Sequence, residues 1–108
     1  MSLFGDYIKE RLDKSIVENE HGFCTYFFVN DGVYIEDLYV SPEHRKSHVA
    51  AKLADQVAEI AKEKGFKRMY GSVQPSAKGS TASLKVLLAY GMSLESSGPN
   101  AILMSKGI

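Results

Sequence analysis

The sequence has 108 residues, 44% hydrophobic and 24% charged, with 13 basic residues balanced by 13 acidic ones. A chain of this length reads as a single domain whose core forms without metals or disulfides, because it buries roughly 65% of its extended surface. The zero formal net charge removes the long-range attraction on which most nucleic-acid and anionic-membrane binders rely, and unbroken hydrophobic runs such as Tyr26 to Val29 fall far short of the roughly 20 apolar residues of a membrane span.

In chain order, apolar residues at Phe4, Ile8 and Leu12 predict one to two turns of amphipathic helix around Tyr7 to Leu12. From Ser15 to Val40 the pattern becomes runs of Val, Ile, Tyr and Phe, broken at His21-Gly22 and at Asn30-Asp31-Gly32. These runs predict three antiparallel strands joined by two tight turns. Ser41-Pro42-Glu43 is a helix-start signal, with a capping hydroxyl, a first-turn proline and an acid behind it. Val49, Leu53, Val57, Ile60 and Ala61 then recur at three- and four-residue spacing and Gly65 ends the pattern, predicting a helix of about twenty residues. Phe66 to Val73 reads as a strand, so residues 33–73 predict two parallel strands with a right-handed crossover. After the polar loop Gln74 to Gly79, a second helix is expected from Ser80 to Tyr90, stopped by Gly91. Two strands follow, Met92 to Ser96 and Ala101 to Ser105, turning at Gly98-Pro99-Asn100. The fold class is α+β: a mixed sheet, antiparallel at both ends and parallel in the middle, with helices on its faces.

A parallel strand-helix-strand unit places the helix N-terminus just beyond the carboxyl end of the preceding strand, where unpaired N–H groups and the helix dipole attract an anion. Here that point is Val40 to Ala50, and His44-Arg45-Lys46-Ser47-His48 adds two fixed positive charges, two imidazoles and a hydroxyl. A phosphate group is the natural ligand. The plain alternative is a set of solvated cations at a helix start, where they oppose the dipole.

The run Tyr34-Ile35-Glu36-Asp37-Leu38-Tyr39-Val40-Ser41-Pro42-Glu43-His44-Arg45-Lys46-Ser47-His48-Val49-Ala50 resembles the acetyl-CoA-binding motif of the GNAT superfamily of N-acetyltransferases. That motif is a strand ending in a hydrophobic-x-Pro step, then R/Q-x-x-G-x-G/A opening a long helix; Arg45 matches its first position and Ala50 its last. Ser80 to Met92 is similar to the family's N-x-x-A-x-x-x-Y-x-K-x-G-F helix, with Gly91 in register. The likeness runs from Val33 onward, about two thirds of the chain, and the length is similar to that of small phage-encoded members. It implies a GNAT-like fold over residues 1–108, acetyl-CoA as cosubstrate with no metal, and acetyl transfer to a primary amine of a small molecule or protein. Arg45, Lys46, Ser47, His48, Val49 and Ala50 would hold the CoA pyrophosphate. Leu38, Tyr39 and Val40 would hydrogen-bond the pantetheine arm between two splayed parallel strands, the second being Lys67 to Val73, and Ser80 stands where the family has its Asn.

Three departures bear on the chemistry. His48 replaces the family's middle glycine, so a side chain either fills the space where backbone should approach the pyrophosphate or, protonated, contacts a phosphate. Leu87 replaces the tyrosine that reprotonates the CoA thiolate, and Tyr90, three residues on and near the same helix face, is the substitute donor. Only fourteen residues precede the first strand, where family members usually carry a further strand and two helices. The acceptor wall would then be completed by a second copy in a homodimer, by a protein substrate, or not at all. The rival reading is a catalytically inactive GNAT-like domain that binds CoA or a partner protein.

A lysine-type amine, with pKa near ~10.4, is mostly protonated at neutral pH, so a base or ordered water must take a proton before attack. Glu36 and Asp37 are the candidates, with Glu36 preferred by its position in the family pattern. Adjacent strand residues face opposite sides, which would put one acid on each face, and burial in a central strand would raise the acid toward a useful basicity. The structural alternative is an acid paired with a nearby Lys or Arg. Cys24, in a predicted strand, reads as a small buried hydrophobe. As a lone cysteine behind an N-terminus lacking a charged and apolar leader, it points to the reducing cytoplasm. His21, His44 and His48 lack the spacing and carboxylate company of a metal site. Tyr26, Phe27, Phe28, Tyr34 and Tyr39 read as the packing surface of the sheet, or as the lining of an acceptor pocket.

Overall fold

Alternating apolar residues between Ser15 and Val40 build the first half of the sheet: strands β1 (Ser15–Asn19), β2 (Gly22–Phe28) and β3 (Gly32–Val40) pair antiparallel in sequence order. This computed structural model describes residues 2–45, 48–75, 78 and 80–108, with residues 80–83 described in backbone only. Helix α2 (Val49–Glu63) crosses to β4 (Arg68–Val73), which runs parallel to β3. Helix α3 (Ser80–Tyr90) leads to β5 (Ser93–Ser97) and β6 (Ile102–Gly107). The sheet order is β1-β2-β3-β4-β6-β5, the mixed α+β arrangement expected from the sequence. Among the described residues, no helix is long and apolar enough to cross a membrane.

The predicted stripe on α2 is the core-facing one: Val49, Leu53, Ala54, Val57, Ala58 and Ala61 are buried against Cys24, Tyr26, Val33, Ile35, Met69 and Met104 of the sheet. Each fully buried Leu or Val contributes roughly 1.5–3 kcal/mol of transfer free energy. Gly65, at φ +88°, ends the helix as anticipated, and Phe66 N–H donates back to Ala61 O at 3.0 Å. The helix is 15 residues long, shorter than expected, because Ser41-Pro42 does not open it. That signal starts a separate 3-10 turn, Pro42–His44, and α2 begins only at Val49.

At the N-terminus, helix α1 (Leu3–Leu12) is capped by the Ser2 hydroxyl, which accepts from Gly5 N–H at 2.9 Å. Its buried residues are Gly5 and Ile8, while Phe4, edge-on to the Phe23 ring, and Leu12 are half exposed, so only the middle of the predicted stripe is buried. The cause is close approach to one strand: a Cβ at position 5 would stand 2.8 Å from Ile16 Cγ2. The helix therefore rests on Gly5 and Ile8. Because Ile16 pairs with Thr25, and Val17 with the core residue Cys24, α1 lies on the sheet face opposite α2.

The feature that places the site is a fork in the middle of the sheet. β3 and β4 pair only from Gly32↔Arg68 to Ile35↔Gly71, although β3 continues to Val40. On its other side β3 stays paired with β2, but the register jumps: Ile35 faces Tyr26 and Asp37 faces Thr25, leaving Glu36 as an extra residue. Such a bulge bends a strand and increases its twist. It sits one residue past the last rung with β4, so β3 turns away from β4 there.

Candidate functional site

Beyond the fork, residues 36–40 of β3 have no strand partner on the β4 side among the described residues, which leaves a backbone edge open to a ligand. Leu38 is half-buried, Tyr39 is exposed with its ring stacked 5.9 Å from Phe23, and Val40 is buried. The loop after Val40 is tied to the β1–β2 turn. Ser41 N–H donates to His21 O at 2.8 Å, the His21 and His44 rings stack at 3.7 Å, and Ser41 Oγ lies 2.9 Å from His44 Nδ1. Arg45 turns back on the strand: its Nε donates to Val40 O at 3.0 Å and its guanidinium lies 5.6 Å over the Tyr39 ring. Arg45 thus anchors the loop from inside. Lys46 and Ser47 lie outside the described residues, as does the side chain of Ser80.

His48 occupies the position just before α2 at φ 64°, ψ 17°, the left-handed region. The backbone is thus held in the conformation that glycine adopts most readily, although the residue is not glycine. A non-glycine residue there carries a strain of about 1–2 kcal/mol. The imidazole does not cap the helix, so the first-turn N–H groups of α2, at Val49 and Ala50, have no cap from it and carry the positive end of the helix dipole.

At the fork itself, Glu36 Oε1 accepts from Lys14 Nζ at 2.6 Å, and its side chain is 35% exposed. The expected desolvation of this acid is not found: the bulge turns Glu36 outward, to the lysine that follows α1. The expectation of one acid on each face also fails. The bulge adds a residue to the alternation, so Asp37 shares the α1 side, where Thr25 Oγ1 accepts from Asp37 N–H at 3.1 Å and lies 3.4 Å from Asp37 Oδ2. Thr25 is one of two buried polar residues among those described, and no spacing rule singles it out.

Tyr90 is committed elsewhere. Its hydroxyl donates to Asp55 Oδ1 on α2 at 2.7 Å, and Lys106 Nζ sits 4.4 Å over its ring. Burial, and after it the hydrogen bond and charge of Asp55, push the phenol well above its ordinary range. Leu87, at the family's tyrosine position, is buried and packs against Gly71 under the fork. Cys24 is fully buried, and that burial, with Asp37 a lesser cause, raises its thiol to about 12. It is the inert core residue expected. Among the aromatics, Tyr26 is core, Phe28 packs against it, and Phe27 stacks on Tyr34 at 5.1 Å on the open face.

The mixed sheet with its parallel crossover is a fold that solved structures share. The chain superposes on the PaiA N-acetyltransferase of Thermoplasma acidophilum in complex with coenzyme A with a TM-score of 0.78 at 16% identity, over 98% of this chain and 69% of that one. It superposes on a GNAT family acetyltransferase from Elizabethkingia anophelis with acetyl-CoA bound with a TM-score of 0.71 at 18% identity, over 98% and 87%. Residues 15–87 match the description Acetyltransferase (GNAT) family. The chain belongs to that family. Among curated proteins it is similar to the thialysine N-epsilon-acetyltransferases of Sus scrofa and Mus musculus, 37% identical to each over 49 residues. The matched segment covers 41% of this chain and 29% of those relatives, so the likeness spans under a third of their length.

Proposed function

We propose that this chain transfers the acetyl group of acetyl-CoA to a primary amine, as an N-acetyltransferase working in the cytoplasm. The observation that carries the reading is the fork together with His48: the backbone before α2 keeps a glycine-like conformation at the cost of strain, at the point where amides would meet a diphosphate. The residues present fit the cosubstrate. His48, Val49 and Ala50 would present N–H groups to the pyrophosphate, with Arg45 bracing the loop from below. The free edge of Leu38, Tyr39 and Val40 would pair with the amides of the pantetheine arm. Bound acetyl-CoA supplies an activated acyl carbon with a thiolate leaving group. Glu36 would take a proton from the acceptor ammonium, directly or through water, once the acceptor takes the place of Lys14 at its carboxylate. Support for an amine acceptor comes from the names of the similar curated enzymes.

Thermal unfolding with and without acetyl-CoA tests this directly, since a ligand at 100 times its Kd stabilises by about 2.7 kcal/mol. An upward shift with acetyl-CoA, and release of CoA thiol in the presence of thialysine or free lysine, is the expected result. No shift would overturn the reading, and a shift without thiol release from any amine would leave a CoA-binding module.

A further inference from the structure

Acetyl transfer by this chain, the premise on which a proton relay at the fork rests, finds no donor for the departing sulfur at either Leu87 or Tyr90 of α3, because the first carries no acidic hydrogen and the hydroxyl of the second donates to Asp55. A different pair of hydroxyls meets at the base of the fork. Tyr34 faces Tyr70 in the second-to-last parallel rung, and Ser72 is the first β4 residue past the last rung, Ile35↔Gly71. Tyr34 Oη donates to Ser72 Oγ across the two strands. The Tyr34 ring is held by its stack on Phe27, with planes 18° apart, so the phenol has a fixed direction. A serine hydroxyl that accepts from tyrosine keeps its own hydrogen to give, and Ser72 is exposed.

The placement suits an arm lying along the free edge of β3. From Val40 down to Glu36 that edge is about 13 Å long at ~3.3 Å per residue, and it ends at the bulge, beside the rung that Tyr34 and Ser72 close. The geometry points to Ser72 and Tyr34 as a two-hydroxyl relay that protonates the leaving thiolate. As the acceptor nitrogen forms its bond to the acyl carbon, the carbon–sulfur bond breaks and its electron pair leaves with sulfur. Sulfur takes the hydrogen of Ser72 Oγ, and Ser72 takes that of Tyr34 Oη. The first proton of the acceptor ammonium leaves through Glu36 to solvent before attack, and the second, lost as the amide forms, passes through water to the tyrosine oxygen. The balance is amine plus thioester to amide plus thiol, and no further reactant is needed.

Tyr34→Phe keeps the stack on Phe27 and Ser72→Ala keeps the strand, so either variant tests the relay if the other misfolds. The first readout is binding of CoA and of desulfo-CoA by calorimetry. The wild-type chain is expected to hold CoA roughly tenfold more tightly, through a hydrogen bond from Ser72 to sulfur, and both variants to bring the ratio near one with desulfo-CoA affinity unchanged. The second readout is CoA-thiol release with thialysine and lysine. Both variants should lower kcat on the order of a hundredfold with the acceptor KM unchanged, and Ser72→Thr, which retains the hydroxyl, should recover most of it. An unchanged CoA to desulfo-CoA ratio in the variants, or a loss confined to the acceptor KM, overturns the relay and leaves the acetyltransferase reading standing. The binding ratio alone decides if neither amine is accepted. A wild-type chain that binds neither ligand overturns both.

Discussion

The two faces of the sheet are built on different principles. Under α2 and α3 the sheet is dry, with Val33, Leu53, Val57 and Met69 at 0% exposure. On the other face α1 lies over β1 and reaches β2 through Phe4, whose ring meets Phe23 edge-on, and the rest carries paired polar and aromatic groups: Tyr34 on Ser72, Tyr70 on Asp31 at 2.7 Å, and Arg68 with Glu95 and Ser105. One face holds the molecule together while the other presents donors and acceptors to solvent, and the two meet at the fork.

The contrast is broken most severely from the dry side. Leu53→Ala should lower unfolding free energy by about 3 kcal/mol through lost transfer energy and a residual cavity, whereas Phe27→Ala on the open face should cost about 1 kcal/mol. Equal losses in urea titrations would erase the distinction. From the open side, Glu36→Gln should reduce turnover on the order of a hundredfold at neutral pH and less at high pH, where more acceptor amine is already deprotonated. It should cost less than ~1 kcal/mol of stability, since the Lys14 pair is partly solvated. An equal rate loss at every pH would remove Glu36 as the base.

At the junction of the two faces, His48→Gly should stabilise the chain by about 1 kcal/mol by releasing left-handed strain, and should tighten acetyl-CoA binding in a titration. Weaker binding would instead make the imidazole a phosphate contact. An effect confined to alkaline pH concerns Cys24. Its folded value, raised from 9.0 to about 12, means that the folded state keeps a proton the unfolded chain releases. Its contribution is therefore complete below pH 9 and is lost as pH rises toward 12. Urea midpoints should fall across that window, more gently in Cys24→Ala, and a thiol reagent at about pH 8 should label Cys24 only after unfolding.

Much of the architecture was legible because it follows from local pattern. The breaks at His21-Gly22 and Asn30-Asp31-Gly32, the α2 stripe and the stops at Gly65 and Gly91 each rest on a few neighbouring residues. The site was legible less evenly. The acids at 36 and 37 stand out in a strand, but their common side depends on a bulge that no glycine or proline marks. The left-handed backbone at His48 has no signal in histidine itself. The ties of Tyr90 to Asp55, 35 residues away, and of Tyr34 to Ser72, 38 residues away, depend on helix packing and strand register that no window of sequence contains.

The sheet order carries one more consequence. β6 is later in sequence than β5 yet lies between it and β4. As the nascent polypeptide emerges, the first hairpins can zip at once, but β5 has nothing to join until β6 arrives. Closure of the domain must therefore wait for residues 102–107, and a ribosome stalled before them would hold a half-made sheet with the edge of β4 still bare.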